Sequence, residues 1–240
     1  MPSLANYRIV NVSHETHNTF SWQLTPWSGE IFDFTPGQFV MLHLLNPDGT
    51  SQAKKPYSIA SSPLNKKYLE LAIKVQGNFS GQLATLRTED LVGVEGPFGA
   101  FTYQPQKHKQ VVMLAGGIGI TPFISMIRYL SDAALEDNKI WLYYCNQTEA
   151  EIAYRRELEE LGRQNPNLTV TFSVDRCLIE GCPGWYGEVG FIDSSKIEEH
   201  IGDYKDKYFF LCGPPAFIQI AEGIIKNHNV PSEMIKKEGF

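Results

Sequence analysis

The stretch "LAGGIGITP", residues 114–122, joins two segments with different patterns and decides the fold of the second half of the chain. Residues 110–115, which lead into it, are mostly apolar and predict a buried strand, whereas the residues after it repeat apolar side chains at helical spacing. Thr121 and Pro122 suit the N-cap and the first turn of that helix. Glycines between a strand and a helix let a phosphate approach the backbone. A tight turn without a ligand is the alternative.

Strands and helices alternate through the rest of the second half. Further strands are expected at residues 140–145, 169–174 and 208–211, and helices from a capping box at Thr148 and Glu151 to about 161, at 194–201 and after Pro214–Pro215. This alternation predicts a doubly wound parallel sheet with helices on both faces. In such a sheet, ligands bind at the carboxyl ends of the strands.

The first half predicts β structure. Short segments with alternating or apolar patterns lie at residues 7–12, 19–24, 38–45, 68–74 and 91–95, with turn residues between them and one short helix at 80–86. Five or six strands at this spacing predict a small antiparallel barrel. The chain therefore divides into a β-barrel domain at 1–104 and an α/β domain at 105–240, with a linker near 103–109.

The segment "KKPYSIASS", residues 54–62, places two lysines, an aromatic ring and three hydroxyls close together. Pro56 lacks a backbone donor, which argues against a central strand. The simplest interpretation is an edge strand that begins after a basic turn. The alternative is a site that needs a cation, a flat ring and a hydroxyl close together.

Composition limits the classes of protein to consider. With 240 residues, 42% hydrophobic side chains and a net charge of −6, the chain is globular, and neither nucleic acid nor an anionic membrane is expected as its main partner. We expect no signal peptide and no membrane span. The four cysteines lack the spacing of a metal or iron–sulfur site, so we expect no metal and mostly buried free thiols in a cytoplasmic protein.

Six short motifs occur together in order: "KPYS" at 55–58, "GNFS" at 77–80, "GPFG" at 96–99, "GGIGITP" at 116–122, "CGPP" at 212–215 and the final "EGF" at 238–240. In this order they resemble the ferredoxin–NADP reductase superfamily of flavoproteins, over nearly the whole chain. The resemblance implies an FAD-binding antiparallel barrel followed by an NAD(P)-binding α/β domain.

The resemblance also implies an FAD site. Tyr57 is expected against the isoalloxazine ring, Ser58 at the ring nitrogen that accepts hydride, and Lys55 at the pyrophosphate, where the family has arginine. Gly77 and Ser80 are expected at the same pyrophosphate. The remaining residues implied at FAD are Pro56, Ile73, Val75, Asn78 and Phe79.

For NADH or NADPH, the resemblance implies contacts from both glycine-containing turns of the second half. The residues implied are Gly116, Gly117, Gly119, Thr121, Pro122, Cys212, Gly213 and Pro214. Ser58, Cys212 and Glu238 are implied to be catalytic, with Phe240 packing at the flavin edge. Asp175 is the carboxylate placed to hold a ribose and favours NADH. The neighbouring Arg176 could instead pair with a 2′-phosphate.

The resemblance implies an FAD-dependent NAD(P)H reductase that passes electrons to a separate soluble carrier, such as a ferredoxin, a flavodoxin or a monooxygenase component. One alternative is a reductase of free flavin that holds its flavin loosely. Another alternative, of a different class, is a nucleotide-binding regulatory module without redox chemistry. The paired Tyr57 and Ser58, with Cys212 and Glu238, argue against this last one.

Overall fold

A computed structural model describes residues 3–180 and 182–239. Its first part is an antiparallel sheet that curls into a barrel. The strands are β1 (Ala5–Thr16), β2 (Thr19–Pro26), β3 (Phe39–Leu45), β4 (Ser51–Ser58), β5 (Leu69–Lys74) and β6 (Leu91–Phe98), and helix α1 (Asn78–Leu83) follows β5. Their order in the sheet is β4-β3-β6-β1-β2-β5. A bridge between Ile59 and Leu71 joins the two edges. The predicted antiparallel barrel is confirmed.

The second part is a parallel sheet with helices on both faces. Its strands are β7 (Gln110–Gly116), β8 (Lys139–Asn146), β9 (Leu168–Val174), β10 (Glu188–Val189), β11 (Tyr208–Gly213) and β12 (Ile235–Gly239), and its helices are α2 (Ile120–Asp132), α3 (Arg155–Gln164), α4 (Ser194–Ile201) and α5 (Pro215–Asn227). The order is β10-β9-β8-β7-β11-β12. The chain therefore changes direction in the sheet between β7 and β11, and this switch point is where such sheets bind ligands. The predicted doubly wound sheet is confirmed.

Apolar packing explains why each part folds. Trp22, Leu42 and Leu71 are among the side chains that fill the barrel, while Met113 and Phe210 lie under α2 on one face of the parallel sheet. A separate apolar cluster covers the opposite face, where α4 and α5 pack. Among the described residues, no helix is both long and apolar enough to cross a membrane.

The segment around Pro56 differs from its predicted form. Strand β4 begins at Ser51, so Lys54 and Lys55 lie within the strand and not in a turn before it. Because β4 is an edge of the sheet, Pro56 can pair with Met41 on one side without a donor being needed on the other.

Two helix starts were predicted wrongly. Helix α2 has Gly119 and not Thr121 as its N-cap, and the Thr121 hydroxyl instead donates to the Ile118 carbonyl (3.0 Å). Residues after Thr148 form only one short turn, and α3 begins at Arg155. The positive φ of Tyr154, +58°, interrupts a continuous helix.

The cysteines also depart from the prediction. Cys177 and Cys182, expected as free thiols, form a disulfide, because a turn after β9 brings their Cα atoms within 5.4 Å of each other. Cys145 and Cys212 are free, and Cys212 is buried.

Candidate active site

The end of β4 and the start of α1 form a half-buried aromatic surface. The ring of Tyr57 lies nearly parallel to that of Phe79, at an interplanar angle of 22° and a centroid distance of 6.4 Å. Lys55 Nζ is 5.9 Å from the centre of the Phe79 ring. Burial raises the pKa of Tyr57 to about 12, so its hydroxyl stays protonated at neutral pH. Flat rings with a cation beside them fit a planar ring system that carries phosphates.

The turn before α1 is held in shape by the hydroxyl of Ser80. Ser80 Oγ accepts from the Gln76 N–H (2.7 Å) and donates to the Gly77 carbonyl (3.3 Å). Gly77 has a φ of +91°, which favours glycine. In the part of the chain that the structure describes, no side chain caps the first turn of α1. Its backbone N–H groups thus fit an anion, while the Ser80 hydroxyl itself is already engaged.

The remaining barrel residues predicted at FAD differ in exposure. Ile73 is 1% exposed, and its side chain belongs to the barrel core. Val75 is partly exposed, and its N–H donates to the Asn18 carbonyl (2.8 Å). Ser58 is half-buried at the end of β4, directly after Tyr57, and Asn78 is exposed at the start of α1.

The two glycine-containing turns of the α/β domain meet at the switch point. A Cβ built on Gly119 would lie 2.3 Å from the Cys212 carbonyl oxygen, and one built on Gly213 would lie 3.1 Å from Gly116 Cα. Gly119 is therefore required by the close approach of its turn to β11. Gly117 has a φ of +54° and nothing within 4 Å of its Cβ position, so it is the glycine that faces open space.

The glycine turn also lies against the barrel. Residues 117–119 contact β5, and Ala60 and Ala72 of the barrel pack in the same apolar cluster as α2. The structure thus brings the predicted nucleotide turn up to the domain that carries the predicted flavin residues. Thr121 and Pro122 are buried in the first turn of α2, and Pro214 is the N-cap of α5.

Cys212 and Glu238 lie side by side at the carboxyl ends of two neighbouring strands. They are register partners on β11 and β12. Burial raises the pKa of the Cys212 thiol, and the neighbouring Glu238 raises it further, so the group is a neutral thiol and not a thiolate nucleophile. Burial also raises the pKa of Glu238 to about 7, so this carboxyl can gain or lose a proton near neutral pH. Phe240 lies outside the described residues, and its place at the flavin stays a prediction.

Asp175 and Arg176 stand exposed directly after β9. The Asp175 N–H donates to the Asn146 carbonyl (2.9 Å), which fixes the turn to the end of β8. Partial burial raises the pKa of Asp175, and Glu151 adds to the rise, while Arg176 opposes it. The Asp175 carboxylate and the Arg176 guanidinium therefore lie together at the carboxyl end of β9, where the ribose of a dinucleotide is expected.

Sequence reasoning missed two features next to this site. The ring of Phe217 packs against Gly116 and Gly213, within 3.0 Å of the positions where their Cβ atoms would be. Lys74, at the end of β5, pairs with Glu151 of the α/β domain (3.2 Å). Phe217 could have been suspected from its place two residues after Pro214–Pro215, but no local pattern signals a bond between residues 77 positions apart.

Comparisons with known proteins agree with this geometry. An oxidoreductase FAD-binding domain model matches residues 7–103, and an oxidoreductase NAD-binding domain model matches residues 113–223. NADH-cytochrome b5 reductase 1 of Dictyostelium discoideum is 33% identical over 203 residues, covering 83% of this chain and 69% of that protein. NADH-cytochrome b5 reductase 1 of Rattus norvegicus is 30% identical, covering 89% of this chain and 78% of that protein.

A solved structure extends the likeness to three dimensions. The CS-b5R domains of human Ncb5or, in the NAD+ form, superpose with a TM-score of 0.84 and 27% identity, over 99% of this chain and 70% of that chain. Both cofactor-binding domains are thus matched in sequence and in fold. The chain belongs to the ferredoxin–NADP reductase superfamily, as an FAD-dependent NAD(P)H reductase.

Proposed function

We propose that this reductase takes hydride from NADH in preference to NADPH and passes the electrons to a separate carrier protein. One observation supports the arrangement above all: the turn at residues 117–119 lies against β5, so the predicted nucleotide turn contacts the barrel that carries the predicted flavin residues. FAD, when bound, supplies a hydride acceptor that can release electrons singly. The task of the protein is to hold the two cofactors and to manage protons.

On the flavin side, three neighbouring residues of β4 have separate roles. Tyr57, stacked near Phe79, orients the ring system. The Ser58 hydroxyl donates to the ring nitrogen that receives the hydride, and Lys55 neutralises the pyrophosphate as a point charge. The turn at Gly77–Ser80 adds backbone N–H groups, and the Ser80 hydroxyl holds that turn in shape.

The preference for NADH rests on Asp175. A carboxylate accepts hydrogen bonds from both ribose hydroxyls and repels a 2′-phosphate. The guanidinium of the neighbouring Arg176 would favour NADPH instead if it contacted the 2′-phosphate. Partial burial and Glu151 raise the pKa of Asp175, and Arg176 opposes this rise by favouring the charged form that accepts these hydrogen bonds.

On the nicotinamide side, Cys212 and Glu238 act differently. Cys212, a neutral buried thiol, packs beside the reacting ring without ionising. Glu238 holds or releases the proton that accompanies each hydride, because its pKa of about 7 lies at the working pH. Phe240 is proposed to cover the flavin until nicotinamide displaces it.

The carrier is proposed to be a small haem protein of the cytochrome b5 kind. The support is that two relatives, 33% and 30% identical to this chain, are NADH-cytochrome b5 reductases. A ferredoxin, a flavodoxin and a monooxygenase component are the other carriers to test. A cytoplasmic location is part of the same proposal.

Anaerobic spectroscopy of the purified protein tests the proposal. The protein should be yellow, lose its flavin absorbance with NADH faster than with NADPH, and then reduce cytochrome b5 faster than a ferredoxin or a flavodoxin. A colourless protein that reduces only added flavin would make it a free-flavin reductase. Preference for NADPH, or for another carrier, would overturn that part of the proposal.

A further inference from the structure

The barrel and the α/β domain are separated on one side by an open polar cleft of about 1100 Å³. Its walls carry Glu15 and Glu70 from the barrel, and Arg128 and Tyr154 from the α/β domain. On this side, the bonds that cross the cleft add to the apolar cluster that Ala60 and Ala72 share with α2 in holding the two domains together.

Arg128, on α2, makes the most extensive of these bonds. Its Nε and Nη2 donate to the two carboxylate oxygens of Glu157 on α3, at 2.6 and 2.8 Å. Its Nη1 donates across the cleft to the Ala60 carbonyl (2.9 Å) and to Glu70 Oε1 (2.8 Å). The planar guanidinium is thereby fixed to both domains at once.

Burial and further hydrogen bonds also fix the side chains around Arg128. The Glu70 side chain is only 6% exposed, and Tyr154 donates its hydroxyl to the same Glu70 oxygen (2.9 Å). The Tyr154 ring lies 5.3 Å from the guanidinium carbon, and the Tyr154 N–H donates to Glu15 of the barrel (3.2 Å). A buried ionic cluster of this kind is weak evidence for stability, but it defines one geometry.

Helix α2 connects this cluster to the glycine turn. One turn before Arg128, the Ser125 hydroxyl donates to the Ser61 carbonyl of the barrel (2.7 Å), and both groups are buried. The helix begins at Ile120, directly after the glycine turn. Arg128 therefore lies roughly 12 Å along the same rigid helix, at a rise of about 1.5 Å per residue.

We infer that Arg128 is a positioning residue, which fixes α2 to Ala60 and Glu70 of the barrel and so sets the place of the glycine turn relative to the flavin side. The inference rests on the proposed function, in which nicotinamide lies beside that turn. Hydride transfer needs reacting atoms about 3–3.5 Å apart, and a displacement near 1 Å can cost about 100-fold in rate.

Two variants separate positioning from simple loss of stability. Arg128→Met alone leaves Glu70 buried without its cation, so it could unfold the protein. The double variant Arg128→Met with Glu70→Gln removes the buried pair of charges, and the groups that still lose a donor are the Ala60 carbonyl and the partly exposed Glu157. The matched control is Arg155→Met, because Arg155 lines the same cleft but pairs with Glu159 of its own helix (2.8 Å).

Stopped-flow reduction by NADH and hydrogen–deuterium exchange supply the two measurements. In the double variant, flavin reduction at saturating NADH should slow by roughly 10–100-fold, with FAD affinity and KM nearly unchanged. Amide exchange should rise in residues 60–62 and 120–128, and not in the Arg155→Met control. Arg128→Lys should recover part of the rate, since lysine keeps the charge without the fork.

Unchanged exchange at both segments, or a reduction rate within twofold of wild type, would overturn the inference. A rate loss that only follows the melting temperature across all variants would also overturn it. If wild-type protein itself is not reduced by NADH, the proposed function fails, and exchange alone then decides whether Arg128 fixes α2 to the barrel.

Discussion

At the scale of single residues, two neighbouring lysines on β4 have different surroundings. Lys54 Nζ pairs with Glu95 (3.1 Å), while Lys55 Nζ lies over the Phe79 ring on the flavin side. Strand alternation sends these neighbours to opposite faces of the sheet. Lys54 is thus a natural control for Lys55.

Lys55→Ala should weaken FAD binding by about 1–3 kcal/mol, the usual effect of losing a charge-assisted bond to an anion. Titration of apoprotein with FAD, followed by quenching of flavin fluorescence, measures the change. Lys54→Ala should bind as wild type does. Equal affinities for all three proteins would remove Lys55 from the site.

Asp175→Ser should narrow the gap between NADH and NADPH, because the carboxylate that repels a 2′-phosphate is gone. The comparison is kcat/KM for the two nucleotides in wild type and variant. The NADH value should fall and the NADPH value should rise. If the ratio of the two values does not move, Asp175 does not contact the ribose.

Glu238→Gln should alter the dependence of stability on pH. The folded state raises the pKa of Glu238 from 4.5 to about 7, so it binds the proton more tightly than the unfolded chain does. Wild type should therefore lose stability relative to the variant as pH rises from 4.5 to 7, and the difference should be constant above that range.

Urea unfolding at several pH values measures this difference. Glu233→Gln, an exposed change in the turn before β12, is the matched control. The same variants can be compared in flavin reduction, where an inflection near pH 7 should vanish only in Glu238→Gln. A pH-independent difference between wild type and Glu238→Gln would contradict the assignment.

At the scale of elements, the glycine turn and β11 depend on each other. Gly119 lies so close to Cys212 that its turn and the end of β11 form one packed unit. The same packing explains why α2 begins after Gly119, with Thr121 already inside its first turn. The turn is thus shaped by strand packing as well as by any ligand.

Gly119→Ala should destabilise the protein by about 1–3 kcal/mol, as overpacking of a tight site does. The new methyl group would lie 2.3 Å from a backbone oxygen that cannot move freely. NADH binding should weaken as well, since the turn must shift. Thermal unfolding and NADH titration measure both effects.

Gly223→Ala on α5 is the control for a glycine change of the same size. Nothing lies within 4 Å of its Cβ position. Alanine at such an open helical position should stabilise by about 0.5–1 kcal/mol. Similar losses of stability in Gly119→Ala and Gly223→Ala would contradict the close contact between Gly119 and Cys212.

At the scale of the whole molecule, the two sheets have separate apolar cores and meet through polar bonds and one small apolar contact. Ala60 and Ala72 of the barrel belong to the apolar cluster that α2 covers, and not to the core of the barrel. A cofactor that binds between the domains should therefore contribute to the stability of the assembled protein.

Bound FAD should raise the melting temperature of the apoprotein. At a free concentration of 100 times the Kd, ligand linkage contributes about 2.7 kcal/mol. For a chain of this size, each kcal/mol corresponds to about 2–4 °C, so the rise should be roughly 5–11 °C. Differential scanning fluorimetry would measure it. Riboflavin, which lacks the pyrophosphate, should give a smaller rise, and no rise with FAD would contradict the placement of its site.

Much of this architecture follows from local sequence. Alternating apolar residues predicted the barrel strands, and strand–helix alternation predicted the parallel sheet, because periodicity reports which face of an element is buried. Six motifs in order also predicted the flavin and nucleotide residues. Local pattern could not decide which residues bond over long distances. Glu151 was assigned to a helix cap at Thr148, but it pairs with Lys74 of the barrel.

Only the tertiary structure decided several other features, because each depends on contacts that a local pattern does not encode. The disulfide joins Cys177 and Cys182, whose spacing along the chain matched no predicted pair. Strand β12, unmarked by length or pattern, forms because β11 presents a free edge, and it places Glu238 beside Cys212. Arg128 has no motif, yet it bonds to Glu70, 58 positions away. The local sequence indicates which side chains are buried, whereas the assembled fold determines which residues pair with each other.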